Sequence, residues 1–266
     1  MYESFFGMRH TPFSNGIPTA ALYTSREMEQ AFGRLCYAAS SQLFAVMTGD
    51  VGMGKSTMIR RLRDALPQDE YLLLYLADSK LTPRWLYNGL LQQLGAEPKF
   101  QRGDAKLSLH RQLEYIREAK HQKVVTIVDE AHLLERETLE EIRFMLNFQM
   151  DSTKPMALIL VGQNELWDKL VKPAYAAIRQ RIDLKCDLPP LDLSQTAEYI
   201  GTHLRYAGGS QDIFTDKAVE GIYHYAHGSS RAINKACTHC LLSAAQQNKK
   251  LIDDHLVQLV VETELP

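Results

Sequence analysis

The chain has 266 residues, of which 45% are hydrophobic and 23% charged, the balance of a globular protein long enough for one large domain and a smaller one. Lys and Arg total 30 against 32 Asp and Glu, a formal net charge of -2, so no global basic field draws it to nucleic acid and any such contact needs a local patch. No apolar run reaches the ~18–20 residues that span a bilayer, the opening "MYESFFGMRHTPF" lacks a basic stretch followed by an apolar one, and four Cys fit a reduced cytoplasm.

In chain order, the first strong signal is "QLFAVMT", a short apolar, strand-like run. It breaks into Gly49-Asp50-Val51-Gly52-Met53-Gly54-Lys55-Ser56, which fits G-x-x-x-x-G-K-[ST], with Thr57 following. The segment "STMIRRLRDAL" then places Met58, Ile59, Leu62, Ala65 and Leu66 at helical spacing. Strand, glycine loop and helix are the context this motif requires. Glycines let backbone N–H groups turn toward phosphate oxygens, and the helix N-terminus adds its positive end. Lys55 would reach the β- and γ-phosphates of ATP, and the Ser56 hydroxyl would ligate Mg²⁺.

"EYLLLYLADS" predicts a second buried strand, followed by helical patterns in "PRWLYNGLLQQLG" and "KLSLHRQLEYIREAKH". "KVVTIVDEAHLL" predicts a buried strand of the parallel-sheet type, with Asp129 at its C-terminal end. A carboxylate there can hold a Mg²⁺-bound water, and Glu130 is placed to polarise an attacking water. A helix in "TLEEIRFMLNFQM", a strand in "PMALILVGQNEL" and a shorter, edge-like strand in "RIDLKCDL" complete an alternating pattern. Strands alternating with helices argue a parallel sheet covered on both faces.

Gln163 ends its strand and could orient a water or simply be a polar turn residue. Arg179 and Arg181 in "YAAIRQRIDL" could reach a neighbouring copy's nucleotide as an arginine finger, or pair on the surface. After Pro189-Pro190 strand signals stop and helices follow, which predicts a hinge into a helical lid. Arg231 opens a lid helix, from which it could fold onto a γ-phosphate or remain a surface residue. Cys237 and Cys240 lie one helical turn apart without a second ligand pair, so they read as buried small residues rather than a zinc site.

These pieces in this order resemble the ExeA-type AAA+ ATPases. The likeness covers nearly the whole chain: "FFGMRHTPF", the glycine loop, "VTIVDEAHLL", "LNFQMDS", "ALILVGQNEL", "IRQRIDL", "IFTDKAV", "GSSRAINKAC" and "IDDHLVQLV". The resemblance implies an α/β fold, a P-loop AAA+ parallel sheet flanked by helices and followed by a C-terminal all-helical lid. The expected boundaries are 1–188 for the N-terminal segment and nucleotide domain and 189–266 for the lid. It further implies Gln163 as sensor 1, Arg231 as sensor 2, and an Arg before the last strand, Arg179 or Arg181, as the finger.

Within that family, the chain looks most like the mobile-element branch typified by TnsC, TniB, IstB and MuB, since it ends at Pro266 soon after the lid and shows no membrane span. The resemblance therefore implies a cytoplasmic transposition regulator that binds ATP and Mg²⁺ and forms a ring or helical filament on double-stranded DNA. It would bind without strong sequence preference, recruit a DDE-type transposase and disassemble on hydrolysis. Candidate DNA contacts are Lys80 and Arg84, then Lys99, Arg102 and Lys106. The alternatives are a secretion-assembly ATPase and an ATP-binding switch with negligible hydrolysis.

Overall fold

The computed structural model describes residues 2–78, 81–146 and 154–265. In chain order the first elements are α1 (Tyr2–Phe5), α2 (Arg26–Ser40), β1 (Phe44–Thr48), α3 (Lys55–Ala65), β2 (Tyr71–Ala77), α4 (Pro83–Gln93) and α5 (Arg102–Ala119). Next come β3 (Lys123–Asp129), α6 (Arg136–Met145), β4 (Ala157–Gly162), α7 (Asn164–Leu170), α8 (Ala176–Arg179) and β5 (Leu184–Asp187). The last four are α9 (Leu193–Ala207), α10 (Asp216–Ala226), α11 (Ser230–Gln246) and α12 (Asp254–Thr263). The predicted strands all form, and β5 is at an edge as its alternation suggested. Helix α2 went unread in the sequence; its buried residues are Ala31, Leu35, Ala38 and Ala39. Residues 147–153, which include most of "LNFQMDS", lie outside the described residues, as does Lys80.

The five strands form one parallel sheet in the order β2-β3-β4-β1-β5. Strands β1 and β4 are buried along their whole length, and β3 is buried except at Lys123. Such strands read as continuous apolar runs because helices cover both faces of a parallel sheet. Sequence order and spatial order part at β1, which lies between β4 and β5; β4 separates it from β3, with Thr48 opposite Gly162 and Val128 opposite Leu160. The ends of β1, β3 and β4 therefore share the carboxyl edge of the sheet, where open α/β folds bind ligands.

The chain divides into two compact units, residues 30–50 with 58–188, and residues 1–29 with 51–57 and 189–266. The sheet unit has its own core, built on Val46, Leu74, Leu86, Leu90, Leu109, Leu113, Val128 and Ile142. The helical unit has another, built on Leu204, Ile222, Ile233, Leu241, Ile252 and Val260. Burying each such side chain contributes roughly 1.5–3 kcal/mol. The N-terminal segment, expected with the sheet, belongs instead to the helical unit. Tyr2, Met8 and Phe13 are buried in that second core, and Arg9 N–H donates to Ala207 O at 2.7 Å. Phe13 stacks on His203, which stacks in turn on Tyr199.

Local signals fix the helix ends. Pro83 starts α4 behind Thr82, whose hydroxyl accepts from Trp85 N–H. Asp192 and Gln195 form a reciprocal capping box at the start of α9, and Gly208 ends it with φ 80°.

Candidate active site

At the carboxyl edge of the sheet unit, Asp129 closes β3 and is buried. Its carboxylate accepts from the Tyr75 hydroxyl at 2.7 Å and from the backbone N–H of Glu130 at 2.8 Å. Tyr75 is on β2, where Ala77 is the register partner of Asp129, so the ring two residues earlier points to the same face. Burial, then the hydrogen bond to Asp129, push the Tyr75 phenol well above its ordinary range, so it stays a donor. Sequence reasoning missed Tyr75, because its role depends on strand pairing rather than on neighbours in the chain. The donor set fits Mg²⁺, which binds through one or two protein oxygens and otherwise keeps waters and substrate phosphates. Among the described residues no group of three or more His, Cys, Asp or Glu gathers to hold a metal by protein ligands alone.

Glu130 follows with φ 52° and ψ 31°, a left-handed conformation that costs a non-glycine residue roughly 1–2 kcal/mol. This sharp turn lifts the carboxylate out of the sheet, and its side chain is 49% exposed. The chain then makes a 3₁₀ turn, Ala131–Leu133. His132 within it is buried; its Nε2 is 3.1 Å from Gln163 Nε2 and its Nδ1 is 3.5 Å from Glu130 Oε2. Gln163 follows Gly162, the last residue of β4, and stands at the N-cap of α7. The next residue, Asn164, donates to Asp50 Oδ1 at 2.7 Å, tying the start of the glycine loop to α7.

The rest of the loop, Val51–Thr57, clusters with the helical unit. Gly52 and Gly54 have φ of 82° and 86°, conformations that glycine adopts at no steric cost. Lys55 is half-buried and opens α3, with Ser56 and Thr57 exposed. The first four N–H groups of any helix lack intrahelical acceptors, so this end suits an anion. The N-terminus of α11 lies directly on the loop: Ser230 Oγ donates to Gly52 O at 2.7 Å and Arg231 N–H to the same oxygen at 3.2 Å. A Cβ on Gly52 would stand 2.3 Å from Ser229 Oγ and 2.9 Å from Arg231 Cβ. Arg231 itself is exposed at this contact.

The remaining expected residues separate. Arg179 donates to Val171 O, and Arg181 is half-buried. On α4, the Arg84 guanidinium stacks 4.7 Å from the exposed Phe100 ring and 5.9 Å from exposed Trp85. Arg102 is 3.6 Å from Glu141 and 3.5 Å from Glu137; Lys106 is 3.6 Å from Glu141. Lys99 lies 3.8 Å from Glu97. Cys237 and Cys240 are buried on α11, and burial pushes both thiols up, Cys240 to about 12.

A family profile described as an AAA domain matches residues 38–170. General secretion pathway protein A of Aeromonas hydrophila is 32% identical over 260 residues; the match covers 95% of this chain and 46% of that protein, so the chain spans about half its length. Among solved structures, the Aeropyrum pernix ORC2 protein superposes with a TM-score of 0.68 at 16% identity, over 94% of this chain and 71% of that one. Drosophila ORC bound to DNA gives a TM-score of 0.68 at 18% identity, over 98% of this chain and 64% of that one. These neighbours share the fold.

Proposed function

This chain belongs to the AAA domain family, and on that footing we propose that it is a Mg²⁺-dependent ATPase whose nucleotide state controls its self-assembly. The observation that carries the reading is the glycine loop after β1, with Gly52 and Gly54 left-handed and Lys55-Ser56 opening α3. Gly49 to Thr57 would hold the phosphates, Lys55 would neutralise the β- and γ-oxygens, and Ser56 with Asp129 would hold the metal. Bound Mg²⁺ would supply charge neutralisation on the phosphate oxygens. Tyr75 holds the Asp129 carboxylate in place, Glu130 takes the proton of the attacking water, and Gln163 orients it. Arg231 reports the γ-phosphate from α11. Arg179 or Arg181 supplies the finger to a neighbouring copy.

The setting we favour is the energising ATPase of a secretion-assembly system, because the 32% identity to General secretion pathway protein A runs through 95% of this chain. A second reading has the same ATP-dependent oligomer, cytoplasmic and built on double-stranded DNA, recruiting a DDE-type transposase. The observation for it is the fold shared with Drosophila ORC bound to DNA, together with the motif resemblance. No helix among the described residues is long and apolar enough to cross a membrane.

Sedimentation velocity with a non-cleavable ATP analogue tests the assembly. Wild-type protein is expected to move to larger species, and Lys55→Ala to remain as it is without nucleotide. Unchanged sedimentation of the wild type, with duplex DNA present or absent, refutes the assembly.

A further inference from the structure

We propose that His132 is a positioning residue that joins Gln163 to Glu130, so that the side chain reading the nucleotide and the side chain acting as base are set together. The inference rests on the ATPase reading above and names its internal coupling.

The three residues form a line across the sheet edge. Gln163 Nε2 is 3.1 Å from His132 Nε2, and His132 Nδ1 is 3.5 Å from Glu130 Oε2. An amide nitrogen can only donate, so Nε2 of the imidazole accepts. The proton of the neutral ring then sits on Nδ1, because the hydrogen bond at one ring nitrogen decides the tautomer at the other. That N–H faces the Glu130 carboxylate. Nδ1 is buried and makes no hydrogen bond among the described residues. A buried donor without an acceptor is costly, so Glu130, with half its side chain exposed, is drawn across the short remaining gap.

The chain is built to keep the ring there. Gly162 ends β4 against the 3₁₀ turn, and a Cβ on it would stand 3.1 Å from the backbone nitrogen of His132. Lys169 on α7 donates to His132 O at 2.6 Å and Leu134 O at 3.1 Å, pinning the same turn from the other side. The ring is thus fixed by its backbone and free to respond only through its two nitrogens. While Gln163 donates to Nε2, Nδ1–H faces Glu130 Oε2 at 3.5 Å and attracts that carboxylate. When the Gln163 amide turns to the nucleotide, the bond that fixes this tautomer is lost and Glu130 is released to water.

The tautomer is measurable without nucleotide. Full-length protein labelled with ¹⁵N-histidine gives ring signals from which each tautomer is read, and the His132 signal is the one lost in His132→Gln. The expected result is the Nδ1–H tautomer in the wild type and a shift toward Nε2–H in Gln163→Ala. An Nε2–H ring in the wild type, or a tautomer indifferent to Gln163→Ala, overturns the proposal. Kinetics supply a second arm. His132→Asn keeps a donor near the Nδ1 position without the Nε2 acceptor, and His132→Gln keeps an acceptor near Nε2 without the Nδ1 donor. Both are expected to lower kcat about tenfold with KM within about twofold; wild-type kcat in both contradicts the coupling. A wild-type chain that hydrolyses no ATP defeats the hydrolytic reading alone, and the tautomer then decides the role of His132 by itself.

Discussion

Two parts of the molecule rich in motif-like residues handle their polar groups in opposite ways. At the glycine loop the backbone geometry is set by the loop's own residues. Gly52 and Gly54 turn left-handed, and Ser230 and Arg231 donate to the Gly52 carbonyl. On α5 two of the cations are matched by a carboxylate of the protein itself. Arg102 and Lys106 both face Glu141, which also accepts from the buried Tyr87 hydroxyl at 2.6 Å. Burial and that bond push the Tyr87 phenol well above its ordinary range. A loop whose geometry is set by its own glycines keeps its binding capacity in any context. A cation's capacity depends on what packs opposite, and here a buried carboxylate claims it.

The sharpest break of this contrast is Lys55→Ala. Removing the loop's ammonium is expected to weaken a fluorescent ATP analogue on the order of 100-fold, about 3 kcal/mol, by equilibrium titration. An affinity within twofold of wild type would strip the loop of its role.

A buried imidazole without a hydrogen bond among the described residues extends the comparison. His203 is stacked between Phe13 and Tyr199, and both ring nitrogens lack a hydrogen bond among the described residues. Burial lowers its pKa from 6.5 to about 4. Above pH 6.5 the ring is neutral in both folded and unfolded chains. Below it the unfolded chain takes up a proton that the folded unit refuses until about pH 4. Stability contributed by the neutral site therefore declines across that window, by up to about 3 kcal/mol. Urea unfolding at pH 7 and pH 4 checks this: His203→Phe is expected to lose that much of the wild type's pH dependence.

Glu141→Ala tests the other side of the contrast. It leaves the Tyr87 hydroxyl buried without an acceptor, at a cost of roughly 1–3 kcal/mol, seen as a lower Tm at roughly 2–4 °C per kcal/mol. Glu141→Gln, which keeps an acceptor, is expected to cost less. The smallest effect is expected on nucleic acid. If Arg102 and Lys106 are committed to Glu141, alanine at either leaves the salt dependence of any duplex DNA binding unchanged. A true phosphate contact would lower the slope by about 1.

Much of this architecture was legible because it is written locally. Four apolar runs and one alternating stretch became five strands, and the G-x-x-x-x-G-K-[ST] spacing became a left-handed glycine turn opening a helix. What was not legible depends on long-range packing. Tyr75 meets Asp129 only through the β2–β3 register, and His132 meets Gln163 only because β4 lies beside β3. Phe13 of "FFGMRHTPF" could have joined either core, and it stacks on His203 of α9. The Arg102–Glu141 pairing likewise links elements far apart in sequence.

The proposed hydrolysis depends on Glu130 after β3, so the most direct measurement is single-turnover phosphate release by Glu130→Gln alongside the wild type, with Mg²⁺ and matched ATP occupancy. The expected result is ATP binding retained and the rate lowered by about 10²–10⁴-fold, the contribution of a lost general base. Release at the wild-type rate would contradict the assignment of Glu130 as the base.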